Sequence, residues 1–376
     1  MFKITISPQW HVEVPSGLKA ELPKLFSLLS ALHTRGNLRA ACRDAGVSYR
    51  HAWGLVRDYG QTFGTPLVRM TRGQGAQLTA LGERLLWADK RIAARLSPVL
   101  DSLASEIQME IDRVMSDAKP TARIHASHGF AVEALHDALV QKGVPLELKY
   151  CGSTEALASL CRSGCDLAGF HVPLGDLETA ALRQYDHYLK PRAHMLVNIA
   201  TRRQGIAVAK GNPKGILALA DLGRPNIRFV NRQPGSGTRI LLDLLLAREG
   251  IDSNRIRGYE NGEHTHAAVA AFIASGMADA GFGVETAARR FDLDFVPIAT
   301  ERYLFACHRD ALAAPQVRVV LDILASREFR AVVNNLPGYD ATQCGLVQEI
   351  TEAFPVLQVK RAAEKPIRKK AAARAR

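Results

Sequence analysis

The stretch FVNRQPGSGTR, from Phe229 to Arg239, decides the fold class of this chain. Apolar residues over 227–230 predict a short strand, and the apolar spacing over 240–248 predicts a helix. The turn between them ends in Gly-Ser-Gly-Thr, residues 235–238, where the first N–H groups of a helix have no intrahelical partner. These N–H groups, the two hydroxyls and the positive end of the helix dipole can hold a small anion.

Predicted strands and helices alternate through residues 120–355. Such alternation is typical of an α/β fold, in which helices cover parallel sheets. In these sheets, ligands bind beyond the carboxyl ends of the strands. The apolar runs predict strands at 123–127, 146–150, 166–170, 206–209, 227–230, 256–259, 279–282 and 295–299, and helices from 129, over 155–162, over 240–248 and over 264–275.

Four of the predicted strand-to-helix turns are rich in hydroxyl groups, glycine or histidine. A cage of neutral donors suits a dehydrated oxyanion, because it offers hydrogen bonds without acceptors that repel the ligand. One such turn alone is commonly a plain helix cap, whereas four in one domain predict an anion site. The candidate ligand-binding residues are Ser127, His128, Ser153, Thr154, Arg232, Ser236, Gly237, Thr238 and His266.

The amino-terminal part has the spacing of a helix-turn-helix. Helical stripes over 22–33 and 38–45 precede a tight turn at 46–48, and Ser48 is placed to cap a helix over 49–63. This last helix would enter the major groove of DNA. The alternative is a small helical domain with a solvated basic face. The candidate DNA-binding residues are Arg39, Ser48, Tyr49, Arg50, His51, Arg57, Arg69 and Arg72.

A wing and a long helix follow. Two alternating runs within 66–79 flank Arg72-Gly-Gln-Gly75 and predict a hairpin with a basic tip. A helix over 80–116 carries an apolar seam that predicts a homodimer; the seam consists of Leu85, Ile92, Leu96, Val99 and Leu103. The predicted division is therefore a winged helix-turn-helix over 1–79, a linker helix over 80–116, an effector domain over 120–355 and a basic tail over 358–376.

The net charge of +12 is concentrated at the two ends of the chain. Residues 1–115 carry 15 Lys and Arg against 10 Asp and Glu, residues 116–357 carry 26 of each sign, and residues 358–376 carry 8 against 1. This asymmetry favours double-stranded DNA as the partner of the ends. The tail is predicted to be disordered; contact with phosphates and a purely solubilising role both remain open.

Several functional classes are disfavoured by the residues. The chain opens without the apolar run of a signal peptide and has no apolar segment of bilayer length, so we expect a cytoplasmic protein without a membrane partner. Six cysteines without a C-x-x-C pair predict no disulfide and no metal. Ser236 lacks the wider G-x-S-x-G pattern of a nucleophile, and His264 and His266 would point to different faces of a helix. We therefore expect neither an enzyme nor a cofactor.

Residues 22–86 resemble the winged helix-turn-helix of LysR-type regulators and of molybdate-responsive ModE regulators. The resemblance lies in NLRAACRDAGVS (37–48), FGTPLV (63–68) and LTALGERLL (78–86). The start of the third helix, Ser48-Tyr-Arg-His51, is closer to the ModE type, so a LysR operator cannot be carried over. LysR-type regulators often form tetramers, and the sequence leaves dimer or tetramer open.

Residues 120–340 resemble the type II periplasmic-binding-protein fold, in particular its molybdate- and tungstate-binding type. The resemblance lies in RQPGSGTR (232–239), HTHAAVAA (264–271) and ASGMADAGFG (274–283). It implies two lobes, one near 200–300 and one from the flanking segments, that close on a ligand. The small Mop-like modules of ModE regulators have no counterpart here, so molybdate is not implied by the amino-terminal half. Sulfate, formate and other small anions remain alternatives, as do a transport binding protein and an enzyme of molybdenum-cofactor handling.

Overall fold

The computed structural model describes residues 3–13, 22–71, 75–115 and 120–357. It divides into two compact units. The first unit comprises Met1–Met115 and Arg203–Ala299, and the second comprises Ser116–Arg202 and Thr300–Arg376. Two predictions, the wing tip at Arg72 and the basic tail at 358–376, lie outside the described residues.

The amino-terminal part of the first unit consists of helices and one hairpin. Its elements are α1 (Leu22–Arg35), α2 (Leu38–Asp44), α3 (Tyr49–Thr62), β1 (Val68–Thr71), β2 (Gly75–Leu78) and α4 (Ala80–Met115). Leu25 and Leu29 of α1 are fully buried against α3 and α4. The Asn37 side chain caps the start of α2 and the Ser48 side chain caps the start of α3, so both helices begin where the sequence predicts. Strands β1 and β2 pair antiparallel as a wing.

Helix α4 has 36 residues, about 54 Å of helix, with Pro98 inside it. Proline has no N–H, so the carbonyl of Ala94, four residues earlier, loses its intrahelical partner. The hydroxyl of Thr265, in the α/β part of the same unit, donates to that carbonyl at 2.9 Å. Nearby, Arg95 donates to the carboxylate of the buried Glu263 at 2.7 Å. These contacts join the long helix to the α/β part of the first unit.

Strands and helices alternate through the rest of the chain. In chain order they are β3 (Ala122–Ala126), α5 (Phe130–Gln141), β4 (Leu146–Tyr150), α6 (Ser153–Cys161), β5 (Leu167–Pro173), α7 (Glu178–Arg183), β6 (His194–Val208), β7 (Phe229–Arg232), α8 (Gly237–Arg248), β8 (Gly262–Glu263), α9 (His266–Ala274), β9 (Ala280–Val284), α10 (Glu285–Arg290), β10 (Asp294–His308), α11 (Pro315–Ala325), α12 (Arg327–Asn334), β11 (Tyr339–Asp340), β12 (Val347–Glu349) and α13 (Ile350–Ala353). Short 3-10 helices lie at Leu219–Gly223, Ser253–Arg255 and Arg309–Ala313.

Each unit contains three neighbouring strands that run parallel. In the first unit β7 pairs parallel with β8 and β9, and β9 pairs antiparallel with β6. In the second unit β3 pairs parallel with β4 and β5, β10 pairs antiparallel with β5, and the short strands β11 and β12 pair with β6. The predicted α/β fold with an amino-terminal winged helix-turn-helix is confirmed.

The structure differs from the sequence predictions at three places. Residues 256–259 form turns and not a strand, because Gly258 has φ +93° and lies so close to Phe229 that a Cβ would stand 2.2 Å from its carbonyl oxygen. Helix α8 begins at Gly237 instead of 240, since the Ser236 side chain caps it. Strands β6 and β10 each run for 15 residues, well beyond the predicted 206–209 and 295–299.

Candidate functional site

Three helices of the first unit begin at one edge of its sheet. Helices α8, α9 and α10 follow β7, β8 and β9, and these strands are parallel, so their carboxyl ends and the following helix starts share one edge. The turn before α8 needs Gly235, whose φ of +79° is in the left-handed region. This edge therefore gathers the positive ends of three helix dipoles.

The side-chain hydroxyls of Ser236 and Thr238 and the backbone N–H of Gly237 lie at the start of α8. The Ser236 side chain is 4% exposed and accepts from the N–H of Arg239 at 3.2 Å. Thr238 is 2% exposed, and its hydroxyl oxygen accepts from the Nε2 amide of Gln204 at 2.9 Å. Gly237, the first residue of α8, adds its backbone N–H to this group of donors.

His266 lies at the same edge. It is the first residue of α9, and it is buried. A Cβ placed on Gly283, near the end of β9, would stand 3.1 Å from the Nδ1 of His266. Glycine at 283 thus leaves space for the imidazole. Its neighbour His264 is exposed, whereas Thr265 caps α9 by accepting from the N–H of Ala268 at 2.8 Å.

Arg232 and Arg239, which lie near this edge, donate hydrogen bonds to backbone carbonyls. Arg232 donates to the carbonyl of Glu263 at 3.2 Å and, through Nη2, to the carbonyl of His264 at 3.0 Å. Arg239 lies over the ring of Tyr259 at 3.9 Å and donates to the Tyr259 carbonyl at 3.1 Å. Arg232, predicted as a ligand-binding residue, thereby orders the turn that leads into α9.

The predicted ligand-binding residues of the second unit also share one sheet edge. Helices α5 and α6 follow the parallel strands β3 and β4. The ring of His128 lies 4.8 Å from that of Tyr150, which brings the two strand ends together. Ser153 is fully buried, with its hydroxyl 3.3 Å from Nδ1 of His171. Ser127 and Thr154 are half-buried at the same strand ends.

A buried ion pair in the second unit is absent from the sequence prediction. Arg202 donates to Glu301 at 2.6 Å, and both side chains are within 2% of complete burial. Burial by itself would lower the pKa of Arg202, but the charges and hydrogen bonds of Glu301 and Tyr339 together outweigh burial and raise this pKa above its usual range. A Cβ on Gly129, the cap of α5, would stand 3.4 Å from Nη1 of Arg202. A permanent positive charge therefore lies beside the start of α5.

The predicted DNA-binding residues form an exposed face on α2, α3 and β1. All seven that the structure describes are exposed: Arg39, Ser48, Tyr49, Arg50, His51, Arg57 and Arg69. The Ser48 hydroxyl caps α3 by accepting from the N–H of His51 at 3.2 Å. Arg57 forms an ion pair with the adjacent Asp58 at 3.0 Å. Trp53, which the sequence prediction omits, lies exposed on the same face.

Most of the predicted seam on α4 is exposed. Ile92, Leu96, Val99 and Leu103 present their side chains to solvent, and Ile107 extends the stripe by one turn. Leu85 differs, because it packs against the amino-terminal core of the same chain. The exposed stripe thus begins at Ile92.

The described ranges contain neither a metal-binding cluster nor a membrane-spanning helix. Within them, no group of three or more His, Cys, Asp and Glu side chains is arranged to hold a metal ion. No helix in that part of the chain combines the length and apolar character that a bilayer crossing requires.

Comparison with known proteins finds one family and several relatives. A family model described as a PBP superfamily domain matches residues 136–325. The uncharacterized protein YvgK of Bacillus subtilis is 32% identical over 252 residues, which cover 65% of this chain and 79% of YvgK. The HTH-type transcriptional regulator CbbR of Xanthobacter flavus is 24% identical over 345 residues, 89% of this chain and 96% of CbbR. The transcriptional dual regulator ModE of Escherichia coli is 29% identical over 98 residues, 25% of this chain and 37% of ModE.

Proposed function

This chain belongs to the PBP superfamily, and we propose that it regulates transcription in response to a small oxyanion. Its fold is that of a LysR-type regulator with a PBP-like domain. In this proposal the winged helix-turn-helix binds promoter DNA and the α/β part binds the anion. Anion binding changes the affinity for DNA, because the ligand binds one conformation of the chain better than another.

One observation carries the anion proposal. Helices α8, α9 and α10 begin at one edge of the first sheet, where Thr238 and His266 are buried and Ser236 and Gly237 add donors. Nearby, Arg232 and Arg239 donate to backbone carbonyls. Neutral donors and helix dipoles thus lie at this edge, and they suit an oxyanion that has no proton of its own to donate.

Molybdate or tungstate is the ligand we propose within this class. The residues around 232–239, 264–271 and 274–283 resemble the molybdate- and tungstate-binding type of the fold. Both anions are tetrahedral dianions at neutral pH and need donors on every side. Sulfate shares this shape and charge, so the choice between them is an experimental question.

Titration calorimetry of the full chain against molybdate, tungstate, sulfate, phosphate and formate tests this proposal. We expect the strongest binding with molybdate or tungstate. The Thr238→Val variant removes the hydroxyl that Gln204 orients and should weaken binding by about tenfold or more, the effect of losing one hydrogen bond to a charged group. Thr34→Val changes an exposed position of α1 and is the matched control, which should bind the anion as the wild type does. A response to formate alone, or an unaltered affinity in Thr238→Val, would contradict the proposal.

We also propose that the chain acts as a homodimer. The exposed stripe on α4 from Ile92 to Ile107 repeats at helical spacing, as expected for a two-stranded contact. A second copy would cover this stripe, and two winged domains would then meet two half-sites on the duplex.

A further inference from the structure

Two aromatic side chains are exposed on α3, the helix proposed to enter the major groove. Tyr49 is 43% exposed and Trp53 is 41% exposed, and they lie one helical turn apart. Their rings meet edge to face with centroids 6.5 Å apart. No other Phe, Tyr or Trp among the described residues is as exposed as these two. This pair is therefore an exception among the aromatic residues that the structure describes.

The orientation of the pair is set by the opposite face of α3. Ala52, Leu55 and Val56 are buried in the core of the amino-terminal part, and Tyr59 is buried one turn later. Rotation of the helix to cover the aromatic pair would expose these residues to water. Such a rotation is strongly unfavourable, because burial of these side chains removes their apolar surface from water. Tyr49 and Trp53 consequently face outward in the folded chain.

Basic side chains surround the pair. The guanidinium of Arg39 lies 5.9 Å from the Tyr49 ring centroid, and Arg50 and Arg57 lie on the same helix. A basic rim suits the phosphates on either side of a groove. An apolar centre inside such a rim then meets the edges of the bases. This charge pattern favours duplex DNA as the occupant over an apolar protein surface.

The apolar group that a major groove offers on its base edges is the C5 methyl of thymine. We propose that Tyr49 and Trp53 determine sequence specificity by contact with thymine methyl groups in the operator. This inference rests on the proposed DNA-binding function and adds the chemical group that is read. The guanidinium of Arg39 lies within cation–π range of the Tyr49 ring, which places a positive charge beside the proposed reader.

Replacement of thymine by deoxyuridine tests the proposal, because it removes the methyl group and preserves base pairing. A preferred duplex is first selected from a random library with the full chain. Each thymine is then replaced singly, and binding is measured by fluorescence anisotropy at one salt concentration. For the wild type we expect at least one position in each half-site at which affinity falls about fourfold, the effect of one buried methyl-sized group.

The Trp53→Ala variant identifies the reader. It should bind the selected duplex more weakly, and uracil replacement at the sensitive position should then have no further effect. Arg69→Ala, on the exposed wing strand β1, is the matched control; it should weaken binding to all duplexes and keep the uracil effect. Because Trp53 and Arg69 are both exposed, the two alanine variants should have the melting temperature of the wild type. Trp53→Phe keeps an aromatic ring and should retain part of the uracil effect.

Three outcomes are decisive. Methyl dependence that disappears in Trp53→Ala supports the inference. Selection of a preferred duplex without any uracil effect, or with the same effect in both Trp53→Ala and Tyr49→Ala, overturns the methyl contact and leaves the DNA-binding proposal standing. Failure of the wild-type chain to select any sequence overturns the proposed function and this inference together.

Discussion

Replacement of Thr265 by valine should destabilise the first unit where α4 meets α9. The Thr265 hydroxyl accepts from the N–H of Ala268 at 2.8 Å and donates to the carbonyl of Ala94 at 2.9 Å. That carbonyl needs an outside donor because Pro98 lacks the N–H that would otherwise reach it. Valine keeps the size and branching of threonine and removes both hydrogen bonds.

The expected magnitude follows from these two bonds. Loss of a helix cap costs about 1 kcal/mol. A buried carbonyl left without a donor costs about 1–3 kcal/mol, and Thr265 and Ala94 are both buried. We therefore expect Thr265→Val to lower the free energy of unfolding of the first unit by about 2–4 kcal/mol, as measured by urea denaturation.

Thr265→Ser is the matched control, because it keeps the hydroxyl and loses one methyl group. Its cost should stay near 1 kcal/mol, the value of a buried methyl-sized group. Equal stability of Thr265→Val and the wild type would refute the reasoning. So would a serine variant that is as unstable as the valine variant, since packing and not hydrogen bonding would then account for the loss.

A second substitution tests the link to the proline. Pro98→Ala restores the missing N–H, so the Ala94 carbonyl gains a partner inside α4. In that background, Thr265→Val should lose only the cap of α9, and its cost should fall by about 1 kcal/mol or more. A double-mutant cycle measures this coupling. Additive costs of the two substitutions would contradict the proposed connection.

Three further predictions concern DNA, association and pH. Arg50→Ala should reduce the slope of log affinity against log salt by about 1, whereas Arg318→Ala, exposed in the second unit, should leave it unchanged; equal slopes in both variants would exclude a phosphate contact by Arg50. Val99→Asp should convert a dimer to a monomer in light scattering, because it places a charge in the exposed stripe of α4; an unaltered mass would point to another interface. Burial, with the charges of His308 and Lys190, lowers the pKa of His194 to about 4. As the pH falls, this histidine is protonated in the unfolded chain before it is protonated in the folded chain. The free energy of unfolding should therefore fall by about 1–3 kcal/mol as the pH drops from about 6.5 to 4. His194→Asn should flatten that loss in urea titrations, and a loss as steep as in the wild type would contradict the assignment.

The sequence predicts the fold class because the signals for it are local. Apolar runs mark most of the strands in the α/β part, and the Ser48 cap marks the start of α3. The predicted strand at 256–259 is wrong, because these residues form turns. Gly258 lies within them and allows the chain to approach β7 closely. Periodicity alone does not separate these two cases.

Contacts between distant parts of the chain lie beyond local signals. Thr265 and Ala94 are 171 positions apart, and Arg202 and Glu301 are 99 apart, so no spacing rule relates them. The direction of Arg232 is likewise set by the carbonyls that it meets in the folded chain. Such partners depend on sheet order and register, which the alternation of strands and helices leaves undetermined.

The coupling of anion binding to DNA binding is the central claim, and one titration tests it directly. Fluorescence anisotropy with the selected duplex, at constant ionic strength, gives the Kd for DNA with and without saturating molybdate, with sulfate as the comparison. We predict that molybdate changes this Kd by at least about fivefold, and that DNA changes the molybdate affinity by the same factor. A Kd for DNA that stays the same while molybdate is bound would contradict the account.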